Sequence, residues 1–283
     1  MSDALAVGLI QLTAGDDPAE NLERTAGMIR QAAAEGAEFV LTPEATNMLS
    51  PDRARQRAVL RPEDEDPTLA ALRAEARALG IWLLIGSLAL KTGDADGRFA
   101  NRSFLIGPQG QIVARYDKLH MFDVAISEAE RFRESAAYRP GTRATLAHVG
   151  DVPIGMSICY DLRFPHLYRR LAQAGARILT VPAAFSPTTG EAHWQVLLRA
   201  RAIETGCFVL APAQCGTHPA PHSPGHPPRR SHGHGMVVDP WGKVLIDQGT
   251  APDITVIRLD LGAVDGARSR IPSLSHDRPF DGP

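Results

Sequence analysis

The chain has 283 residues, 44% of them hydrophobic, and 30 Lys and Arg against 32 Asp and Glu leave a formal net charge of -2. A chain of this size buries a full core without disulfide staples, and its near-neutral charge offers no general field for nucleic acid or an anionic membrane. Three cysteines, an odd number, give no bridging framework and point to a reducing, cytoplasmic setting.

At the N-terminus, Asp3 stands where a secretory leader wants Lys or Arg, and the apolar run after it is broken by Gln11 and Thr13. Strand Ala6–Leu12, a helix near Pro18–Glu35 and strand Glu38–Thr42 then read as a first β-α-β unit. Pro67–Leu79 reads as a helix and Ile81–Leu90 as a strand, the latter too short for a bilayer, which needs roughly 20 apolar residues. Ser103–Ile106 and Ile112–Tyr116 form a hairpin turned at Gly107-Pro-Gln-Gly110. That turn lacks the spacing and the Lys-Ser/Thr ending of a phosphate loop.

A second β-α-β unit runs from strand Val152–Cys159 through a helix near Pro165–Ala174, stopped by Gly175, to strand Arg177–Val181. Helix Trp194–Glu204 and strand Cys207–Ala211 extend the pattern. Thr217–His232, with five prolines and three interior histidines, reads as a solvated loop, its proline spacing fitting no zinc-ligand pattern. A hairpin turned at Asp239-Pro-Trp-Gly242, a last strand Ile254–Leu259 and a tail over 268–283 complete the chain. No internal repeat and no linker interrupts what reads as one domain over 1–283.

Three residues stand at carboxyl ends of strands, where open α/β sheets bind ligands. Cys159 follows an apolar strand and precedes a helix whose positive end would favour a thiolate; the alternative is a buried cysteine acting as a small hydrophobe. His166 and His120 are the first partners to weigh for a catalytic thiol, with Asp161 a possible orienter. Glu44 closes a buried strand at Pro43, and a buried glutamate needs a purpose, either chemistry or bonds to backbone N–H groups. Lys118 follows a hairpin strand; alone it reads as a surface charge.

Thr42-Pro-Glu44-Ala, Tyr116-Asp-Lys118-Leu-His and Ser157-Ile-Cys159-Tyr-Asp-Leu-Arg-Phe-Pro165 resemble, in order, the three catalytic blocks of the nitrilase (carbon–nitrogen hydrolase) superfamily. Thr189–Glu204 and Gly235–Gly242 resemble further blocks of its amidase branch, and Ala213-Gln-Cys-Gly-Thr-His218 draws the likeness toward the deaminated glutathione amidases rather than the omega-amidases. The resemblance implies an α-β-β-α sandwich in which Glu44, Lys118 and Cys159 converge. It implies hydrolysis of a small carboxylated amide, to acid and ammonia, through a thioester on Cys159. Glu44 would be general base and Lys118, with a backbone N–H near Tyr160, would hold the oxyanion. Glu134 would stand beside the triad, and His120 and His166 become supporting or helix-surface residues.

No metal or organic cofactor is needed for such chemistry, since carboxylate, ammonium and thiol already supply proton transfer, charge stabilisation and attack. Lys118 and desolvation act oppositely on Glu44, a balance expected to hold it near the working pH. A substrate carboxylate asks for a cationic fork. Arg163 is the candidate, against a structural pair with Asp161; Arg199 and Arg201 read as helix-surface or subunit-contact residues. Cys207 and Cys215 read as packing. The implied partners are the small amide, water and further copies of the chain in a homo-oligomer, with no nucleic acid and no membrane. An omega-amidase for α-ketoglutaramate, or a non-catalytic binding protein of the same fold, are the competing readings.

Overall fold

The computed structural model describes residues 4–128 and 130–282; Met1–Asp3, Ala129 and Pro283, which the expected domain over 1–283 includes, lie outside the described residues. In chain order the first half contains β1 (Ala4–Gln11), α1 (Pro18–Ala34), β2 (Phe39–Leu41), α2 (Arg53–Val59), α3 (Pro67–Leu79), β3 (Trp82–Lys91), β4 (Phe99–Ile106) and β5 (Ile112–Asp117). A short ladder of β6 (Asp123–Ala125) and β7 (Arg131–Arg133) leads to β8 (Thr145–Val149), β9 (Val152–Met156), α4 (Pro165–Gln173), β10 (Ile178–Thr180), α5 (Pro187–Thr205) and β11 (Phe208–Ala211). The remainder is β12 (Cys215–Thr217), β13 (Arg230–His232), β14 (Met236–Val238), β15 (Val244–Asp247), β16 (Asp253–Asp260) and α6 (Gly262–Arg270).

Two six-stranded sheets, ordered β16-β1-β2-β3-β4-β5 and β15-β14-β11-β10-β9-β8, make the body. Each has three parallel strands at its centre, β1-β2-β3 in one and β9-β10-β11 in the other, with antiparallel flanks. Side chains alternate across a strand, and the sequence supplies an apolar residue for either face. Leu5, Val7 and Leu9 of β1 join the core shared with the second sheet, whereas Ile10 joins the core beneath α1 and α3. Helices α4 and α5 cover the outer face of the second sheet. The result is the expected α-β-β-α sandwich, with both sets of parallel strands presenting their carboxyl ends to one region. There the sheets are tied together, Leu12 N–H donating to Ala213 O and Cys215 N–H to Leu12 O at 3.2 and 2.8 Å.

Local chemistry accounts for the boundaries. Asp17 caps α1 by accepting from the Ala19 and Glu20 N–H groups, and Asp66 caps α3, which Gly80 ends in the left-handed region. Helix α5 begins at Pro187, two turns before the expected start at Trp194, because Thr188, Thr189 and Gly190 are weak helix formers that hide turns stabilised by packing. The strand expected to reach Cys159 ends at Met156, and α6 takes residues 268–270 from the expected tail.

The supposed solvated loop over 217–232 also needs correction. Its ends pair as the β12–β13 ladder, and His218 and Ser223 are buried. The His218 ring bridges Ala14 O at 2.7 Å and Ser231 Oγ at 2.8 Å, while Ser223 Oγ donates to buried Asp16 at 2.7 Å. Polar residues that look solvated in a proline-rich run here satisfy one another inside the protein.

One glycine is required by the site's geometry. The β3–β4 register shifts between Ile85 and Leu88, and the turn Thr42–Thr46 lies against that irregularity. A Cβ on Gly86 would lie 2.0 Å from Thr42 O and 2.5 Å from Pro43 O. Gly86→Ala is therefore expected to force the two strands apart, costing about 3 kcal/mol of stability and most of the activity. A variant that melts like the parent and turns over normally would contradict that packing.

Candidate active site

Glu44 sits on a turn built by its neighbours. Thr46 N–H donates to Ser87 O, Ala45 N–H to Ser87 Oγ, and Gly86 N–H to Thr42 Oγ1. Ala45 adopts a φ of 57°, and Gln214 Nε2 donates to Glu44 O at 2.9 Å from across the junction of the sheets. The carboxylate is fixed by Asn101 Nδ2 at 2.8 Å, Lys118 Nζ at 3.0 Å and the Ala184 N–H at 2.9 Å. Lys118 lies one residue past β5, its N–H tied to Asn101 O. Its Nζ is also 2.9 Å from Glu134 Oε2, and Glu134 in turn accepts from the Phe122 N–H at 2.6 Å. Glu134 Oε1 also lies 3.0 Å from Nζ, so the three ammonium donors are met by three carboxylate oxygens.

Cys159 follows β9 on a sharp turn with φ 49°, a conformation costly for a non-glycine residue. Its N–H donates to Pro182 O at 2.9 Å and its thiol hydrogen-bonds Glu44. The next N–H, of Tyr160, donates to no protein acceptor among the described residues, and so is available to a ligand oxygen. Asp161, fully buried, holds the turn: Oδ2 accepts from the Ile158 N–H at 2.9 Å and from Tyr116 Oη at 2.6 Å, and Oδ1 accepts from the His120 N–H at 3.0 Å. Tyr116 is two residues before Lys118, so Asp161 couples the turn that carries the thiol to the strand that carries the ammonium. Arg201 adds a bond from Nε to Leu162 O at 2.9 Å.

The structure thus brings Glu44, Lys118, Cys159 and Glu134 together, with Tyr160 beside the thiol. Two sequence-based expectations change, those for Arg163 and Arg201. Arg163 does not pair with Asp161; it meets His193 Nδ1 at 3.2 Å and lies over the Tyr160 and Phe185 rings. Arg201 is buried against the turn rather than on the helix surface, because its aliphatic stem and guanidinium pack on Tyr168 and Leu162 O. His120 is engaged with Asp161 at 2.7 Å and stacked on Phe164, a supporting place as the resemblance implies rather than that of the thiol's partner. Asn101 and Ala184, which bind Glu44, were not singled out by the sequence. Asn101 precedes the expected strand Ser103–Ile106 and stands beside Arg102 and Ser103, so its sequence surroundings carry no signal for this role.

Electrostatics assign the resting protons. Burial pushes the Glu44 carboxyl up, but the Lys118 charge and the bonds from Cys159 and Lys118 outweigh it and hold it below the ordinary carboxylate value. Burial pulls Lys118 down, and the charges of Glu134 and Glu44 overcome this and raise it well above a normal lysine. Burial pushes the Cys159 thiol well up, with the Glu44 charge adding to the effect. The helix end expected to favour a thiolate does not: the resting site holds an ionised carboxylate, an ammonium and a neutral thiol. Glu44 is lowered rather than poised near neutrality. Its contribution to stability is present above its unfolded value and lost as pH falls through the folded one. The acid limb of kcat/KM is expected below about pH 4.3, the ordinary glutamate value, with a flat profile across neutrality. A limb near pH 6 to 7 would contradict this assignment.

Residues 6–269 match the carbon–nitrogen hydrolase family, and the chain belongs to that family. Among relatives, it is 39% identical to a deaminated glutathione amidase of Yersinia enterocolitica over 96% of this chain and 92% of that one. Among solved structures, the NitFhit protein of C. elegans superposes with a TM-score of 0.87 at 35% identity, covering 97% of this chain and 65% of that one. An amidase from Nesterenkonia sp. AN1 superposes with a TM-score of 0.75 at 26% identity, covering 95% of this chain and 98% of that one; in a Glu-to-Gln mutant of that amidase, acrylamide adds to the active-site cysteine. The family and these relatives make the chain a hydrolytic amidase.

Proposed function

We propose that the chain cleaves deaminated glutathione by covalent catalysis on Cys159. The observation that carries this reading is the buried cluster in which an ionised Glu44 accepts a hydrogen bond from a neutral Cys159 thiol beside the Lys118 ammonium. A neutral thiol needs a base, and Glu44 is in contact with it. As sulfur attacks the carbonyl, the thiol proton passes to Glu44, and the carbonyl oxygen gains charge toward the Lys118 ammonium, which gives up one of its two Glu134 contacts, and the Tyr160 N–H. Collapse breaks the carbon–nitrogen bond, Glu44 returns its proton to the leaving nitrogen, and a thioester remains. Water then attacks the thioester and gives its proton to Glu44, which passes it to the departing sulfur, so that the acid leaves and the thiol and carboxylate are both restored. Glu134 positions Lys118.

The leaving group separates the two substrate readings. A primary amide such as α-ketoglutaramate releases ammonia, the product expected from sequence. Deaminated glutathione carries its acyl group on the nitrogen of a cysteinylglycine unit, so the dipeptide leaves instead. The test is kcat/KM for both compounds, with cysteinylglycine and ammonia measured and Cys159→Ala as blank. Preference for deaminated glutathione supports the proposal. Preference for α-ketoglutaramate would replace it with an omega-amidase, and turnover by Cys159→Ala would overturn the covalent route.

We also read residues 1–283 as one catalytic domain working as a homo-oligomer in the cytoplasm. Val196 and Ile203 on α5, Trp241 in the β14–β15 turn and Ile271 after α6 are large exposed apolar side chains, and Ile203, Trp241 and Ile271 border one concavity. Light scattering is expected to give a mass above 30.5 kDa, and Ile203→Glu to reduce it to that value. A monomeric parent would reject the pairing. Three buried free cysteines support the reducing compartment, and no helix among the described residues is long and apolar enough to cross a membrane.

A further inference from the structure

We propose that Arg229, carried to the site by the proline-rich loop, is the specificity residue that grips a free carboxylate of the substrate and so selects acids among amides. This rests on the reading of the chain as an amidase for carboxylated amides. The other cations near the thiol are already engaged. Lys118 is shared between Glu44 and Glu134, and Arg163 faces His193 and two aromatic rings. Arg163 also lacks a carboxylate, but its guanidinium is taken up by that ring nitrogen and those rings, whereas the bond of Arg229 is to backbone: Nη2 donates to Ala184 O at 3.0 Å, and no carboxylate pairs with it among the described residues. The Ala184 N–H donates to Glu44 Oε2 at 2.9 Å, so a single residue separates this guanidinium from the carboxylate of the catalytic cluster. Its positive charge also acts on Glu44 and on the Tyr138 hydroxyl beside Glu134.

A half-buried guanidinium lacking an anion keeps most of its five donors uncommitted, in a planar fork that matches a carboxylate. The backbone that carries it is held from both sides. Arg229 O accepts from the His218 N–H at 2.9 Å, and the following residue, Arg230, pairs with Thr217 across the β12–β13 ladder. His218 is itself wedged between Ala14 O and Ser231, and Asp16 anchors the loop through the His222 N–H and Ser223 Oγ. The unusual loop is therefore a fixed support for a cation at the rim of the site. Its buried polar residues have a purpose that proline content alone conceals.

The test compares kcat/KM on three small amides: glutaric monoamide, with a carboxylate on the acyl side; N-butanoylglycine, with a carboxylate on the leaving side; and neutral pentanamide. In the parent, at least one acid is expected to exceed pentanamide. Arg229→Gln is expected to lower that acid-to-neutral ratio about 10- to 100-fold, chiefly through KM, and Arg229→Lys to lower it less because charge survives without the fork. Which acid loses its advantage identifies the side of the substrate that is held. A ratio unchanged in Arg229→Gln, with all amides falling together, would overturn the proposal and reduce Arg229 to a support for Ala184. A parent with no preference for either acid would overturn it together with the carboxylated-substrate reading. If Arg229→Gln fails to fold, the ratio in Arg229→Lys decides: equality with the parent rejects the fork.

Discussion

Glu44→Gln is expected to lower kcat by about 10⁴-fold while leaving the protein folded. In the proposed mechanism the carboxylate takes a proton in the attack, returns it to the leaving nitrogen and takes another from water, so every chemical step would lose its base or acid. The amide has the shape of the acid and keeps one acceptor for the donors around it, which are Asn101 Nδ2, Lys118 Nζ and the Ala184 N–H. Its NH2 must face one of them, a mismatch worth about 1–3 kcal/mol, but Lys118 retains Glu134 and is not stranded. Single-turnover kinetics and a thermal melt on the same preparation separate chemistry from folding. Near-parental turnover would remove Glu44 as the base.

Lys118→Met is expected to injure both activity and stability. Catalysis loses a donor to the developing oxyanion, typically a 10²–10³-fold effect. Glu44 and Glu134 then face each other across Asn101 without the cation that compensates them, and removing one partner of a buried pair costs roughly 3–5 kcal/mol. Without Lys118, burial is the leading influence on Glu44, which then holds a proton more tightly than it does in the unfolded chain. Its folded value is therefore raised in the variant, and stability is retained at low pH and lost as pH rises through the folded value. Urea unfolding of the variant should show greater stability at pH 5 than at pH 8. A parental denaturation midpoint at pH 8 would show that the three charges are not the coupled unit described here.

The sandwich was largely legible because its apolar strands and capped helices have clear periods: β1, α1 and α3 fall within a few residues of the expected positions. The catalytic cluster was legible through the resemblance rather than through spacing, since Glu44, Lys118 and Cys159 lie on separate turns far apart in sequence. Asp161 illustrates why its surroundings were harder to read. Sequence offered it as the orienter of a histidine or the partner of Arg163; it does hold the His120 ring, but its other bonds come from Tyr116 Oη and from the His120 and Ile158 N–H groups, not from Arg163. Backbone donors have no sequence signature. The proline-rich loop failed for the same reason: the partners of Asp16 and His218 include backbone atoms distant in the chain.

The protonated state of Cys159 bears on how the enzyme withstands oxidants. Peroxides attack thiolates, and a cysteine activated by an imidazolium or a helix end is vulnerable between turnovers. Here burial and the neighbouring carboxylate keep the sulfur as a thiol until a carbonyl arrives to receive it. Nucleophilicity is created in the same event that consumes it, so the resting enzyme presents little thiolate to be converted to sulfenic acid.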